Sequence, residues 1–235
     1  PCAWKTWKVW RAAVYRNCPW YRIQMVGGCK MIYIILIAII ISYICNNQIY
    51  KICDELTKTK SNTIIIYILM ILSMVLTYQK YGITQQSIKY LSLIPFIIII
   101  SIIDYHTTYI YDITILSGII IQGGIFLISP DAKTYITSLL VGIIIPYILA
   151  KVTKGLGEGD IGLYGLCCFV LGKNYSIYLI FLSFILASIY CMYILLTKSD
   201  KIRKIPFAPF ISLATILIIL TNFDILNFWF NIISN

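Results

Sequence analysis

Long apolar runs separated by short polar links occupy the chain from residue 31 onward. A helix needs about 20 predominantly apolar residues to cross the hydrocarbon core of a bilayer, with a range of about 17–25. The links are brief and contain glycine or proline, and no long soluble insert interrupts the pattern. We therefore predict an all-α, polytopic transmembrane bundle of about eight spans. The sixth span is short enough for a partial or tilted crossing. The predicted spans are 31–46, 62–78, 90–104, 113–129, 135–151, 161–172, 174–197 and 207–225.

Composition supports the same class. Of the 235 residues, 60% are hydrophobic and 12% are charged, and the mean hydropathy is +0.87. A soluble domain averages about 45–50% apolar and about 25% charged residues. A water-soluble chain of this length cannot bury so much apolar surface, so we expect membrane lipids, and no nucleic acid, around the protein.

The distribution of lysine and arginine predicts the orientation in the membrane. If the first span begins outside, nine basic residues lie in one set of links and four lie in the opposite links. The first set comprises 47–61, 105–112, 152–160 and 198–206, with Lys151 at their edge. Links rich in lysine and arginine stay in the cytoplasm. We therefore expect a multi-pass protein of a bacterial-type cytoplasmic membrane.

Residues 1–30 differ from the rest of the chain. They hold six basic residues, no acid and four of the five tryptophans. Two explanations stay open: an interfacial helix on anionic lipid, or a non-native tag or upstream sequence before Met31. We favour the second, because the predicted orientation would place all six cations outside, against the positive-inside rule. The predicted domains are thus this basic segment, 1–30, and a membrane-embedded domain, 31–235.

Two of the nine acidic residues lie where an apolar run meets a predicted cytoplasmic link, namely Asp104 and Asp160. Ionisable groups at membrane depth are costly and are functional candidates by default. Two neighbouring carboxylates that share a proton can activate water and protonate a leaving group, as in aspartic proteases. Asp160 as a helix N-cap is an alternative. A small proton- or cation-coupled transporter is another, and it predicts acids near the bilayer midplane in broken helices.

An ordered set of motifs favours the peptidase interpretation over these alternatives. The sequence Gly157-Glu158-Gly159-Asp160 resembles the GxGD motif of intramembrane aspartyl proteases. Three further stretches resemble type IV prepilin peptidases, the last of them more weakly: Ile103–Asp112, Lys204–Phe210 and Ile41–Tyr50. The matches occur in the family's order from Met31 to about residue 220.

The resemblance implies that Asp104 and Asp160 are catalytic, and that the basic leader of prepilin or pseudopilin precursors is cleaved at the cytoplasmic face. Cleavage in this family needs no metal and no organic cofactor. Gly157 and Gly159 lack side chains, so a substrate backbone could approach Asp160 closely. Glu158 and Asp112 are candidates for binding the cationic leader, with simple solvation and helix capping as their respective alternatives.

The chain also departs from the family pattern. Tyr111 replaces a proline, Ala208 a glycine, and Gly162 a lysine that many members carry. The cytoplasmic four-cysteine zinc domain is absent, since only Cys53 lies in the corresponding link, and His106 is the only histidine. Many members methylate the new N-terminus with S-adenosylmethionine. We expect this chain to cleave, with S-adenosylmethionine a cofactor only if methyltransferase activity is present.

Overall fold

The computed structural model describes residues 19–52, 60–127, 132–153, 155–197 and 205–221. Within these ranges the chain is helical and contains no strand, so the predicted all-α membrane bundle is confirmed. Each of the eight predicted apolar runs overlaps one helix. The helices are α1 (Pro19–Ile52), α2 (Lys60–Tyr81), α3 (Gln85–Thr107), α4 (Asp112–Leu127), α5 (Ala132–Thr153), α6 (Glu158–Leu171), α7 (Lys173–Leu196) and α8 (Ala208–Thr221).

Five of these helices, α1, α2, α3, α5 and α7, are long and apolar enough to cross a membrane. Helices α4 and α8 are apolar but shorter, with 16 and 14 residues. Helix α6 has 14 residues and is thus roughly 21 Å long, which is less than the ~30 Å of the hydrocarbon core. The length of α6 agrees with the partial or tilted crossing that the sequence predicts for the sixth run.

Helix α1 starts at Pro19 and passes without a break through the predicted domain boundary between residues 30 and 31. Residues 1–18 lie outside the described part of the chain, and the proposal that 1–30 is non-native stays a prediction. Several residues used for the charge and cysteine arguments also lie outside it: Cys53, Lys58, Lys154, Lys198, Lys201, Arg203 and Lys204.

The short helix α6 lies at the centre of the bundle. Every residue from Leu163 to Leu171 is buried, and α6 contacts α3, α4, α5, α7 and α8. Its closest approach is to α5, where a Cβ atom on Gly142 would lie only 2.5 Å from the Cβ of Cys168. Small residues let membrane helices come this close. A helix too short to span is thus surrounded by protein instead of lipid.

Helices α6 and α7 form an antiparallel hairpin with a single connecting residue. That residue, Gly172, has φ +90° and ψ 167°, a conformation essentially restricted to glycine. Tyr164 and Ser183 share a buried hydrogen bond, and the Sγ atom of Cys168 lies 3.9 Å from the carbonyl oxygen of Ser176. These two contacts fix the register of the hairpin. By extrapolation, the first turn of α6 lies level with residues 184–187 of α7.

Helices α3 and α8 are joined by a polar contact inside the bundle. Ser101 Oγ lies 2.6 Å from Ser212 Oγ, which in turn lies 3.1 Å from the carbonyl oxygen of Ile97. Hydrogen bonds between membrane helices contribute about 0.6–2 kcal/mol each. This contact lies about one helical turn from the two residues that meet at the end of the helices, Asp104 and Ala208.

Candidate active site

Asp104 occupies the last turn of α3. The helix ends three residues later because Thr108 adopts a left-handed conformation (φ +52°) and donates its N–H to the carbonyl oxygen of Asp104 at 2.7 Å. The side chain is 5% exposed, and its Oδ2 accepts a 2.9 Å hydrogen bond from the N–H of Ala208, the first residue of α8. The backbone N–H of Phe207 adds a second interaction. Free amides and the positive end of a helix dipole stabilise negative charge at this position and oppose the cost of burying it.

Asp160 lies in the first turn of α6, outside the five helices that are long enough to cross the membrane. Gly157, rather than Asp160, is the N-cap of this helix, and its N–H donates to Asp160 Oδ2 at 3.2 Å. The side chain is 8% exposed, and its second oxygen, Oδ1, is buried without a hydrogen-bond partner in the described part of the chain. Leaving a buried polar atom unpaired costs about 1–3 kcal/mol. Helix capping therefore accounts for one oxygen of this carboxyl group and leaves the other unexplained.

The two aspartates line the same cavity, which has a volume of about 960 Å³. Ligand sites in proteins commonly occupy about 300–1,000 Å³, so a peptide segment fits. Burial raises the pKa of Asp160 to about 7, with a further increase from the charge of Asp104 and a smaller opposing effect from the N–H of Gly157. Two carboxyl groups that interact in this way bind and release protons as a pair. Asp160 therefore keeps its proton up to about neutral pH.

The other predicted site residues fall in different places. Gly157 lines the cavity, and a Cβ atom there would lie 3.2 Å from Asp160 Oδ2. Glu158 and Asp112 are exposed first residues of α6 and α4 and do not line the cavity, and their charge suits the positive end of a helix. A Cβ atom on Gly159 would lie 2.7 Å from the Cβ of Ile110, so close packing already requires glycine. A role in substrate binding stays a prediction for these three residues.

Two parts of the site were not predicted from the sequence. The first is one face of α7, from Phe184 to Leu195, which forms a wall of the cavity. Its positions recur every three or four residues, but lipid-facing positions repeat in the same way, so spacing alone could not distinguish them. The second is the pair of amides at Phe207 and Ala208. The motif around them was visible in the sequence, but its contact with Asp104 was not.

Two further expectations concern ligands and charge partners. In the described ranges, no three or more histidine, cysteine, aspartate or glutamate side chains gather in a way that would hold a metal ion. At Gly162, where many relatives carry lysine, a Cβ atom would lie 2.9 Å from Ile115 Cδ1. A side chain at this position would therefore require the Ile115 side chain of α4 to shift.

Comparison with known proteins gives one family. The model of the type IV leader peptidase family matches residues 91–192, a stretch that runs from α3 into α7 and contains both aspartates. No curated protein and no solved structure matches the chain. The resemblance derived from the motifs is thus confirmed over residues 91–192, which match the type IV leader peptidase family, and the apolar helices indicate a multi-pass membrane protein.

Proposed function

We propose that the protein is an intramembrane aspartic endopeptidase that removes the basic N-terminal leader of type IV prepilin or pseudopilin precursors at the cytoplasmic face of the membrane. The observation that carries the proposal is the burial of Asp104 and Asp160, from two different helices, in one cavity. The family match supplies the reaction class, peptide hydrolysis on membrane-bound precursors. The positions of the acids, at the end of α3 and the start of α6, offer no support for a transporter with acids at the midplane.

The different environments of the two carboxyl groups support different roles for them. Asp104, whose Oδ2 accepts the N–H of Ala208, is taken as the ionised member, and Asp160, whose Oδ1 has no hydrogen-bond partner in the described part of the chain, is taken to hold the shared proton. Asp104 takes a proton from a water molecule as the water oxygen attacks the scissile carbonyl carbon, and Asp160 gives its proton to the carbonyl oxygen. Collapse of the tetrahedral intermediate breaks the C–N bond, and the proton on Asp104 passes to the leaving amine.

The cavity suits an extended, cationic peptide next to the carboxyl groups. Gly155 and Gly157 line it beside Asp160 and leave room for a substrate backbone. Its described lining includes two aspartates and no basic side chain. A lysine or arginine of a leader would therefore be attracted by these carboxyl groups.

Leader removal in cells tests the proposal. A type IV prepilin is coexpressed with the wild-type protein or with Asp104→Asn or Asp160→Asn, and the mature product is followed by gel mobility and mass spectrometry. General acid–base groups contribute about 10²–10⁴-fold, so each variant is expected to slow processing at least about 100-fold at wild-type protein levels in the membrane. Processing at the wild-type rate by either variant would falsify the dyad.

A third variant, Asp112→Asn, separates the predicted leader-binding role from catalysis. Asp112 is exposed and does not line the cavity. We expect a loss of less than about tenfold, expressed in KM and not in kcat, if the carboxylate attracts the leader from a distance.

We further propose that cleavage occurs without N-methylation. The support is the absence from the sequence of the four-cysteine domain, a natural candidate for supporting the second activity. Purified protein is incubated with precursor and S-adenosylmethionine, and the new N-terminus is analysed by mass spectrometry. A methylated product would contradict this part of the proposal and leave the cleavage assignment intact.

A further inference from the structure

Helix α7 extends well past the level of the two aspartates. The hairpin register set by Tyr164–Ser183 and Cys168–Ser176 places Asp160 beside residues 184–187. Helix α7 continues to Leu196. The segment 188–196, called here the α7 overhang, therefore projects about 13 Å beyond this level at 1.5 Å per residue.

One face of the α7 overhang belongs to the cavity. The lining residues lie three, four and seven positions apart and so share one side of the helix: Ser188, Cys191, Met192 and Leu195. Gly155, Leu156 and Ile205 line the same cavity. The neighbouring positions Ile189 and Tyr193 are exposed and do not line it. The overhang thus presents an uncharged wall next to, but beyond, the two carboxyl groups.

We propose that the α7 overhang binds the leader side of the substrate, that is, the residues immediately before the scissile bond. This inference rests on the proposed function, because it takes the substrate to be a membrane-bound precursor cut at Asp104 and Asp160. The apolar segment after the bond then runs from the dyad toward Phe184 and into the bilayer. The leader, on the other side of the bond, runs along Ser188, Cys191, Met192 and Leu195.

The direction in which the substrate lies in the cavity follows from the free-energy cost of moving its apolar segment out of the membrane. Each buried CH₂ group withdrawn from hydrocarbon into water costs about 0.8 kcal/mol, so the apolar segment stays in the membrane while the bond is cut. The part of the cavity lining that α7 provides begins at Phe184, beside the dyad, and continues along the overhang to Leu195, toward the end of the bundle that the charge pattern places at the cytoplasm. The polar end of the substrate therefore lies on the overhang.

The side chains of the overhang also fit this occupant. Lysine and arginine lay their aliphatic stems on apolar surface while their charged ends stay in water. Met192 is 63% exposed and, as a flexible thioether, adapts to stems of different shape. Such a wall accepts basic leaders of differing sequence.

Disulfide trapping through the native thiol of Cys191 tests the threading. Full-length Asp160→Asn protein, chosen so that the precursor is not cut, is combined in membranes with precursors that carry one cysteine at successive positions on either side of the scissile bond. Because a disulfide requires a Cα–Cα distance below about 7 Å, we expect cross-links from leader positions close to the bond and none from the apolar segment. Asp160→Asn with Cys191→Ser must abolish them.

Cross-links that form only from the apolar segment would overturn the inference, because the threading would then be reversed. Cross-links from neither side, while the precursor still copurifies with the protein, would also overturn it, because the substrate would bind elsewhere.

A charge swap provides the kinetic test. Met192→Lys is expected to raise KM at least about tenfold for a precursor with lysine two residues before the bond, with kcat little changed, and glutamate at that leader position should restore KM. Tyr193→Lys is the matched control, because Tyr193 is 64% exposed on the same helix turn but outside the cavity.

The outcomes separate the two proposals. If the wild-type protein does not process the precursor at all, the proposed function fails. If it does, and Met192→Lys behaves like Tyr193→Lys with both precursors, only the assignment of the α7 overhang fails.

Discussion

The burial of the Asp160 carboxyl group predicts a measurable pH dependence of the reaction rate. Its pKa is about 7 because burial and the charge of Asp104 disfavour ionisation. As the proton donor of the proposed reaction, it is active only when protonated. We expect kcat/KM for leader removal to fall at least about tenfold between pH 7 and pH 8.5, measured in detergent at substrate concentrations below KM. A rate that stays constant from pH 6 to pH 9 would contradict this assignment of the proton.

The same group makes stability depend on pH. In the unfolded chain Asp160 loses its proton near pH 3.8, but in the folded protein it keeps it to about pH 7. The folded state thus binds more protons between these values, so its stability falls as pH rises from about 4 to 7. Asp160→Asn mimics the protonated form, and we expect it to raise the free energy of unfolding at pH 8 by up to about 4 kcal/mol. Thermal unfolding at pH 8 and at pH 4 measures this, and equal effects at both pH values would contradict it.

At the scale of residues, the sequence predicted the acids but not their partners. Asp104 and Asp160 stood out because carboxylates are rare in an apolar chain and because they fall in recognisable motifs. The amide of Ala208 that binds Asp104 lies 104 residues away, and only the packing of α3 on α8 brings the two together. Glu158, in the same motif as Asp160, does not line the cavity, because successive side chains on a helix point in different directions.

Among the elements, the α6–α7 hairpin depends on one backbone conformation. Gly172 has φ +90°, and a Cβ atom there would have no neighbour within 4 Å, so a side chain is opposed by backbone strain and not by crowding. We expect Gly172→Ala to lower the free energy of unfolding by about 1–3 kcal/mol. The matched control is Gly123→Ala in α4, which also has open space but an ordinary helical conformation, and it should be neutral or slightly stabilising. Equal thermal shifts for both variants would show that the hairpin does not need glycine.

The register of α3 against α8 depends on the hydroxyl groups of Ser101 and Ser212. Because this contact lies one turn from the Asp104–Ala208 hydrogen bond, its loss should let the amide move relative to the carboxylate. We expect Ser212→Val to lower kcat about 3–30-fold with little change in KM. Ser212→Thr, which matches valine in shape but keeps a hydroxyl, should retain more activity than valine. If the two variants lose activity equally, steric fit and not hydrogen bonding sets the register.

The sequence identified the helices better than their arrangement. Apolar runs indicated the approximate position of each element, but their ends shifted, for example from 90–104 to Gln85–Thr107, because polar residues also form the outer helical turns. The central position of α6 could not be predicted, because a short apolar run has the same sequence pattern whether protein or lipid surrounds the helix. What places α6 inside is close packing at glycines such as Gly142 and Gly165, which matters only once the partner helix is known.

On the scale of the whole molecule, the alternation of helices brings the functional groups to one end of the bundle. Helix α3 ends there, α6 and α8 begin there, and α7 ends there, whereas the links at Gly82 and Gly172 lie at the opposite end. The distribution of basic residues in the sequence predicts that the first end faces the cytoplasm. The structure and the charge pattern are independent of each other, so their combination gives a topology that can be tested.

Cysteine labelling in intact cells measures this topology. Tyr109, in the link between α3 and α4, and Ile83, in the link between α2 and α3, are both exposed and lie at opposite ends of α3. With a membrane-impermeant maleimide, we expect Ile83→Cys to be labelled in spheroplasts, and Tyr109→Cys only after the membrane is permeabilised, each above the labelling of the parent protein. The reverse pattern would place Asp104 and Asp160 at the outer face. A basic leader that remains in the cytoplasm could not then reach them, so the proposed substrate would fail together with the orientation.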